Sequence, residues 1–110
     1  MIKNLFDNIP ENLDDEVFES LLETSELKLE RIISKAHRTP KGQWYDQQQD
    51  EWVILLQGNA GILIEGDRQA RNLVPGDYLL LPAHKKHRVE WTADDTETIW
   101  LALHFPPRNT

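Results

Sequence analysis

Side chains that could bind a metal ion stand beside two apolar runs in the middle of the chain. Glu51 opens the run at residues 51–57, and His84 and His87 follow the run at residues 78–82. The chain has no cysteine, so a metal ion would need oxygen and nitrogen ligands, a combination that suits Mn, Fe, Ni or Zn. A carboxylate and an imidazole of this kind can hold such an ion if the fold brings them together.

The elements that would position these side chains are short strands separated by tight turns. Gly58, the segment Glu65-Gly66-Asp67 and the segment Pro75-Gly76-Asp77 interrupt runs of alternating apolar residues. Such punctuation is typical of consecutive antiparallel strands. The pattern predicts an all-β barrel or double-sheet roll, with strands at residues 27–34, 44–47, 51–57, 60–65, 69–74, 78–82, 87–92 and 97–105.

The punctuated strands resemble the two sequence motifs of the cupin superfamily. Glu51, followed by six residues and then Gly58, matches the end of the first motif. Gly76, Pro82 and His87 stand at the spacing of the second motif. The resemblance covers roughly residues 30–105. It implies a cupin-type double-stranded β-helix, which is a jelly-roll barrel that encloses a ligand cavity.

The sequence departs from the cupin motifs at about half of the usual metal ligands. With Glu51 as the anchor, the two histidines of the first motif become Tyr45 and Gln47. A glycine and the final asparagine of the second motif become His84 and Trp91. Because an amide oxygen is a weaker ligand than an imidazole for these ions, the resemblance implies a metal that is held loosely.

The resemblance also assigns roles within the site. Gln47, Glu51 and His87 would hold the ion, and either Tyr45 or His84 would move a proton. Two alternatives remain open for Glu51: its carboxylate could be paired with an arginine or with the Tyr45 hydroxyl instead of a metal.

A rival alignment of the first motif, with four loop residues before Glu51, would turn Trp44 and Asp46 toward the cavity. Because tryptophan cannot bind a metal, we expect Tyr45 and Gln47 there instead.

Trp91 and His104 are further candidates for contact with a bound molecule. Trp91 alternates with His87 and Val89 on one predicted strand, so we expect it to form a wall of the cavity. His104 shares a face with Trp100 on the last strand, where it lines either the cavity or a subunit interface.

The first 26 residues are predicted to form an arm and a short helix that pack on a barrel of residues 27–110. Acidic residues occupy the opposite side of this segment, and Asn12 is a plausible N-terminal cap. The prediction rests on apolar residues that recur at helical spacing, namely Leu13, Val17, Phe18, Leu21 and Leu22.

The charge and composition exclude several classes of partner. The 110 residues include 19 acidic and 12 basic side chains, and the net charge of −7 repels nucleic-acid phosphates and anionic lipid surfaces. We therefore expect no nucleic-acid or membrane partner. The absence of cysteine fits the cytoplasm, and the beginning of the chain lacks the apolar run of a signal peptide.

The strand predicted at residues 51–57 is apolar on both faces. Trp52, Ile54 and Leu56 lie on the face opposite Glu51 and must be covered, either by the predicted helix or by another subunit. We expect a homodimer, because one small helix cannot cover this face together with the similarly apolar last strand.

Two functions are consistent with these features. The first is a metal-dependent enzyme that acts on an unidentified small molecule, since small cupins include dioxygenases, isomerases and lyases. The second is a non-catalytic cupin module that binds or senses a small ligand, which the missing motif histidines favour.

Overall fold

The computed structural model describes residues 1–107, which form eight strands in two antiparallel sheets. The larger sheet has the order β1-β2-β8-β3-β6, and the smaller sheet has the order β5-β4-β7. The predicted all-β jelly roll is confirmed. The strands are β1 (Val17–Glu23), β2 (Lys28–Ser34), β3 (Asp50–Gln57), β4 (Ala60–Ile64), β5 (Arg71–Leu73), β6 (Tyr78–Leu81), β7 (His87–Thr92) and β8 (Thr98–Phe105).

The predicted N-terminal helix is wrong, because β1 occupies its place at the edge of the larger sheet. Val17 pairs with Ile33 of β2, and the pairing continues to the end of β1 with one irregularity between Ser20 and Leu22. This bulge shifts the alternation by one residue, so the apolar positions of a strand imitate helical spacing. Pairing with β2 outweighs the local preference. No helix that could cross a membrane occurs in residues 1–107.

The hydrophobic core fills the space between the two sheets. Val53, Leu55 and Trp100 of the larger sheet pack in one cluster with Ala60 and Ile62 of the smaller sheet. On β3, the residues that alternate with this core point to the outer face, as period-two geometry requires. The same alternation carries Glu51 to the inner face, at the end of the core where β3 begins.

Gly58 has a structural role in the turn between β3 and β4. Its φ is +83°, a conformation that residues with a Cβ atom adopt only with strain. A Cβ atom at this position would also lie 2.8 Å from Cα of Thr98. Backbone geometry and close approach therefore both require the glycine of the first motif.

Candidate functional site

A cavity of about 80 Å³ opens on the inner side of the two sheets. Both apolar and polar side chains form its wall. The apolar part consists of Phe18, Ile32, Val53, Ile62, Leu81, Val89 and Trp100, and the polar part of Glu16, Glu30, Tyr45, Gln47, Glu51 and His87. Such a mixture, mostly apolar with a few convergent polar groups, is typical of small-molecule sites.

Glu51 and His87 face each other in this wall. Nε2 of His87 lies 3.8 Å from Oε1 of Glu51, and each residue is only 7% exposed. Nδ1 of His87 lies 3.4 Å from the carbonyl oxygen of Lys85. A carbonyl can only accept, so this contact places the ring proton on Nδ1 and leaves the Nε2 lone pair directed toward Glu51.

Tyr45 is fixed to His87 through both backbone and side chain. The two residues exchange backbone hydrogen bonds of 2.8 and 3.1 Å, and their rings stack with centroids 5.5 Å apart. The short strand predicted at residues 44–47 is therefore a single bridge at Tyr45. Tyr45 and Gln47 both line the cavity.

The alternate residues of this segment lie outside the cavity. Trp44 is exposed and Asp46 contacts His84, and neither belongs to the wall. The structure thus has the register in which Tyr45 and Gln47 replace the motif histidines, and the rival register does not occur.

Burial determines the protonation of these groups. It raises the pKa of the Glu51 carboxyl, although His104 acts in the opposite direction. It lowers the pKa of the His87 imidazole and raises the pKa of the Tyr45 phenol, since desolvation disfavours every charged form. Tyr45 therefore keeps its proton and serves as a hydrogen-bond donor, while Glu51 and His87 are both driven toward neutrality.

His104 lies behind the cavity wall and forms an ion pair with Glu30. Its Nε2 is 2.8 Å from Oε1 of Glu30, and Nζ of Lys28 is 3.7 Å from the other carboxylate oxygen. The hydrogen bond raises the pKa of His104 and lowers that of Glu30. His104 is thus paired with Glu30 and does not line the cavity.

Two further predicted site residues also lie outside the cavity. His84 is exposed, with 68% of its side chain accessible, and its Nδ1 contacts Oδ1 of Asp46 at 3.2 Å. Trp91 lies across from Gly61, against which its indole packs. The predicted position of Trp91 in the wall is wrong because of a register irregularity between Gly61 and Ile62. This irregularity ends the alternation that would have turned Trp91 inward.

Two carboxylates in the wall were not identified from the sequence. Glu16 is one of the acidic residues that the sequence predicts on the solvent face of the N-terminal helix, and this helix does not form. Glu30 shares the inner face of β2 with Ile32, and the alternation along this strand was the signal that could have identified it. Both line the cavity beside Glu51.

Two of the three candidate metal ligands, Glu51 and His87, are close enough to hold one divalent ion. No group of three or more His, Cys, Asp or Glu side chains within residues 1–107 is arranged to hold a metal, so Gln47 would have to supply a third donor beside Glu51 and His87. Two ligands that each lie about 2.1 Å from one ion can be at most about 4.2 Å apart. The 3.8 Å separation of the Glu51 and His87 atoms falls within this limit.

The fold and the internal polar site together define a small barrel protein of the cupin type. The chain matches no protein-family model and no curated protein. Among solved structures, it is similar to a protein of Ralstonia eutropha JMP134 that is provisionally named a mannose-6-phosphate isomerase. The two chains are 49% identical, the match covers 96% of this chain and 98% of that chain, and the TM-score is 0.94.

More distant structures have the same fold. A cupin superfamily protein of Desulfitobacterium hafniense DCB-2 is 21% identical over 89% of this chain and 84% of its own, with a TM-score of 0.72. An RmlC-like cupin with a double-stranded β-helix fold from Methanocaldococcus jannaschii is 15% identical over 97% and 94% of the two chains, with a TM-score of 0.69. The chain has the double-stranded β-helix fold of these cupins and is related to the Ralstonia protein.

Proposed function

We propose that the protein is a metal-dependent enzyme that acts on a small molecule in the cupin cavity. The observation that carries the proposal is the position of Glu51 and His87, which are both buried and face each other at 3.8 Å. This separation is too long for a hydrogen bond and suits one bridging ion. A buried carboxylate without a partner is unfavourable, and a divalent cation would remove this disadvantage.

Gln47, Glu51 and His87 would hold the ion, which is a divalent transition metal such as Mn, Fe, Ni or Zn. When bound, such an ion supplies Lewis-acid polarisation of a substrate oxygen. The contact with Lys85 orients His87 for this role. The protonated Tyr45 hydroxyl, which lines the same cavity, donates a hydrogen bond or a proton from Oη to the bound molecule.

The relationship to the Ralstonia protein favours one class of reaction over the others. Its provisional name denotes an isomerase, and the two chains are 49% identical over nearly their whole length. Among the dioxygenase, isomerase and lyase activities that small cupins provide, we therefore propose isomerisation. Such a reaction moves a proton on the substrate, and the Tyr45 hydroxyl in the cavity wall is available to donate it.

A second candidate function is binding or sensing of a small ligand without metal. Burial moves the pKa of Glu51 up and that of His87 down, so the pair can remain neutral. A neutral pair needs no cation, and a metal-free cavity is then an adequate binding site.

Metal content distinguishes the two functions. Elemental analysis would compare freshly purified parent protein, Glu51→Ala, and Glu65→Ala as a matched control with an exposed carboxylate. We expect near-stoichiometric metal in the parent and the control and little in Glu51→Ala. If the parent holds almost none and takes up no Mn, Fe, Ni or Zn on titration, the metal-dependent function is refuted and the metal-free site is supported. Circular dichroism would show that each variant is folded.

A further inference from the structure

The cavity wall has three carboxylates and one imidazole but, among residues 1–107, no strongly basic side chain. Glu16, Glu30 and Glu51 line the cavity, and no lysine or arginine does so within the described part of the chain. A phosphate or carboxylate group on a ligand is normally recognised by guanidinium or ammonium groups. The cavity offers an anionic ligand none of these.

The arginine of β2 is turned away from the cavity, and both of its terminal nitrogens are hydrogen-bonded. Arg31 forms an ion pair of 2.7 Å with Glu19 on β1. It also donates to the carbonyl oxygens of Leu5 and Asp7 at 2.9 and 2.7 Å, which holds the N-terminal arm against the sheet. Releasing this guanidinium to bind a ligand would detach the arm from β1 and β2.

The arginine of β7 is engaged in the same way on the other sheet. Arg88 donates to the carbonyl oxygens of Thr39 and Gln43 at 3.0 and 3.1 Å and forms an ion pair of 3.0 Å with Glu90. Strand alternation places it on the face opposite the cavity residue His87. Neither arginine can serve as an anion site inside the barrel.

The three carboxylates differ in how far they are compensated. Glu30 has His104 at 2.8 Å and Lys28 at 3.7 Å. Glu16 accepts one hydrogen bond of 2.6 Å from Ser34 and has no cation within 4 Å among the described residues. Glu51, at 7% exposure, has no hydrogen-bond partner in the described part of the chain. Because Glu51 faces His87 at 3.8 Å, Glu16 is the wall carboxylate that remains for a positively charged ligand.

Three aromatic rings complete the wall. Phe18, Tyr45 and Trp100 line the cavity together with the carboxylates. The faces of aromatic rings attract organic cations, and carboxylates beside them strengthen this attraction. A small ligand with a protonated amine would satisfy both kinds of group.

We propose that the cavity selects a small organic molecule with an ammonium group, with Glu16 as its counter-ion, and rejects phosphorylated or carboxylated analogues. The inference deepens the proposed function and rests on it for the use of this cavity as the substrate site. A metal held by Glu51 and His87 leaves Glu16 free for the ammonium group. The substrate class thus differs from the phosphorylated hexose in the name of the Ralstonia relative.

Three probes with one hexose ring and different charges test the charge preference. Isothermal titration calorimetry of the full chain would compare mannosamine, mannose and mannose 6-phosphate, with ethanolamine as a smaller ammonium probe. Binding of each probe would be measured at matched ionic strength, both to the protein as purified and to the protein after chelator treatment. We expect an ammonium probe to bind at least about tenfold more tightly than uncharged mannose, a difference of about 1.4 kcal/mol, and mannose 6-phosphate to bind most weakly.

Glu16→Gln tests the assigned counter-ion, and Glu23→Gln is its matched control. Glu23 is the last residue of β1, the strand that begins directly after Glu16. It is exposed and also contacts a serine hydroxyl, that of Ser20 at 3.3 Å. We expect Glu16→Gln to weaken ammonium binding about tenfold and Glu23→Gln to leave it unchanged.

Three results would overturn the inference: mannose 6-phosphate binds as tightly as mannosamine, neither ammonium probe binds, or Glu16→Gln binds ammonium like the parent.

A failure of this inference can be distinguished from a failure of the proposed function. Ammonium binding that survives in a protein without metal uptake supports the inference and refutes the metal-dependent enzyme. Metal uptake without ammonium preference does the reverse.

Discussion

Nε2 of His87 lies 3.8 Å from Oε1 of Glu51, and the sheets hold both residues at this separation. Glu51 is paired with Leu81 on one side and with His104 on the other. His87 is held by its backbone bridge to Tyr45. Strand pairing therefore fixes the backbone positions of both residues, and with them the separation of this pair.

Glu51→Gln should stabilise the metal-free protein at neutral pH. Burial raises the pKa of Glu51, so the stability that the protonated carboxyl provides is fully present below about pH 4.5 and is lost as pH rises through the folded-state pKa. Glutamine never ionises and avoids this loss. We expect a gain of about 1 kcal/mol in the free energy of unfolding near pH 7, measured by urea denaturation with chelator present.

The advantage of Glu51→Gln should shrink as pH falls and vanish below 4.5, where the parent carboxyl is protonated in both states. It should also reverse in the presence of a binding metal, which stabilises only the parent. An advantage that does not change with pH would show that the carboxyl of Glu51 is not the cause.

The Glu30–His104 ion pair should stabilise the protein most at pH values between the pKa values of its two groups. The pKa of His104 is raised from 6.5, so its contribution is full below that value and is lost as pH rises through the folded-state pKa. The pKa of Glu30 is lowered from 4.5, so its contribution is full above that value and is lost as pH falls through the folded-state pKa. We expect His104→Gln to cost about 2 kcal/mol near pH 5.5 and clearly less near pH 9. Equal losses at both values would contradict an ion pair.

Gly58→Ala should destabilise the protein more than Gly66→Ala. Both glycines have positive φ, +83° and +97°, so both substitutions carry the same backbone penalty of about 1 kcal/mol. Only at Gly58 would the new Cβ atom meet the backbone of Thr98, while nothing lies within 4 Å at Gly66. We expect losses of about 3 and 1 kcal/mol in thermal denaturation, and equal losses would show that the close approach has no effect.

The outer face of the larger sheet should pair two copies of the chain. Tyr78 and Leu80 of β6 are 66% and 43% exposed, and the Tyr78 ring packs on Trp52 of β3 with centroids 5.4 Å apart. We expect light scattering at tens of micromolar to report a dimer rather than a 12.9 kDa monomer.

A charge introduced on this face should dissociate the dimer. Leu80→Lys should yield a monomer, whereas Asp94→Lys, at an exposed position outside the strands, should remain dimeric. A monomeric parent, or a Leu80→Lys variant that still forms dimers, would contradict pairing through this face.

The sequence alone determined the strands that carry the site, because their signals are local. Period-two alternation from Glu51 onward turns this carboxylate inward with Val53 and Leu55. The glycines that end the strands sit in turns with positive φ, which few other residues tolerate. The motif spacing that connects Glu51 to His87 follows from these same turns, so the pair could be identified without coordinates.

Only the tertiary structure decided the rest of the wall, because register irregularities and long-range pairing have no local signature. Because of the bulge between Ser20 and Leu22, the apolar residues of β1 have the spacing that is typical of a helix. As a result, Glu16 was assigned to solvent. The irregularity between β4 and β7 moved Trp91 out of the cavity. A single extra residue in a strand reverses which face the next side chains occupy, and the partner strand, which lies far away in the sequence, determines where that residue is accommodated.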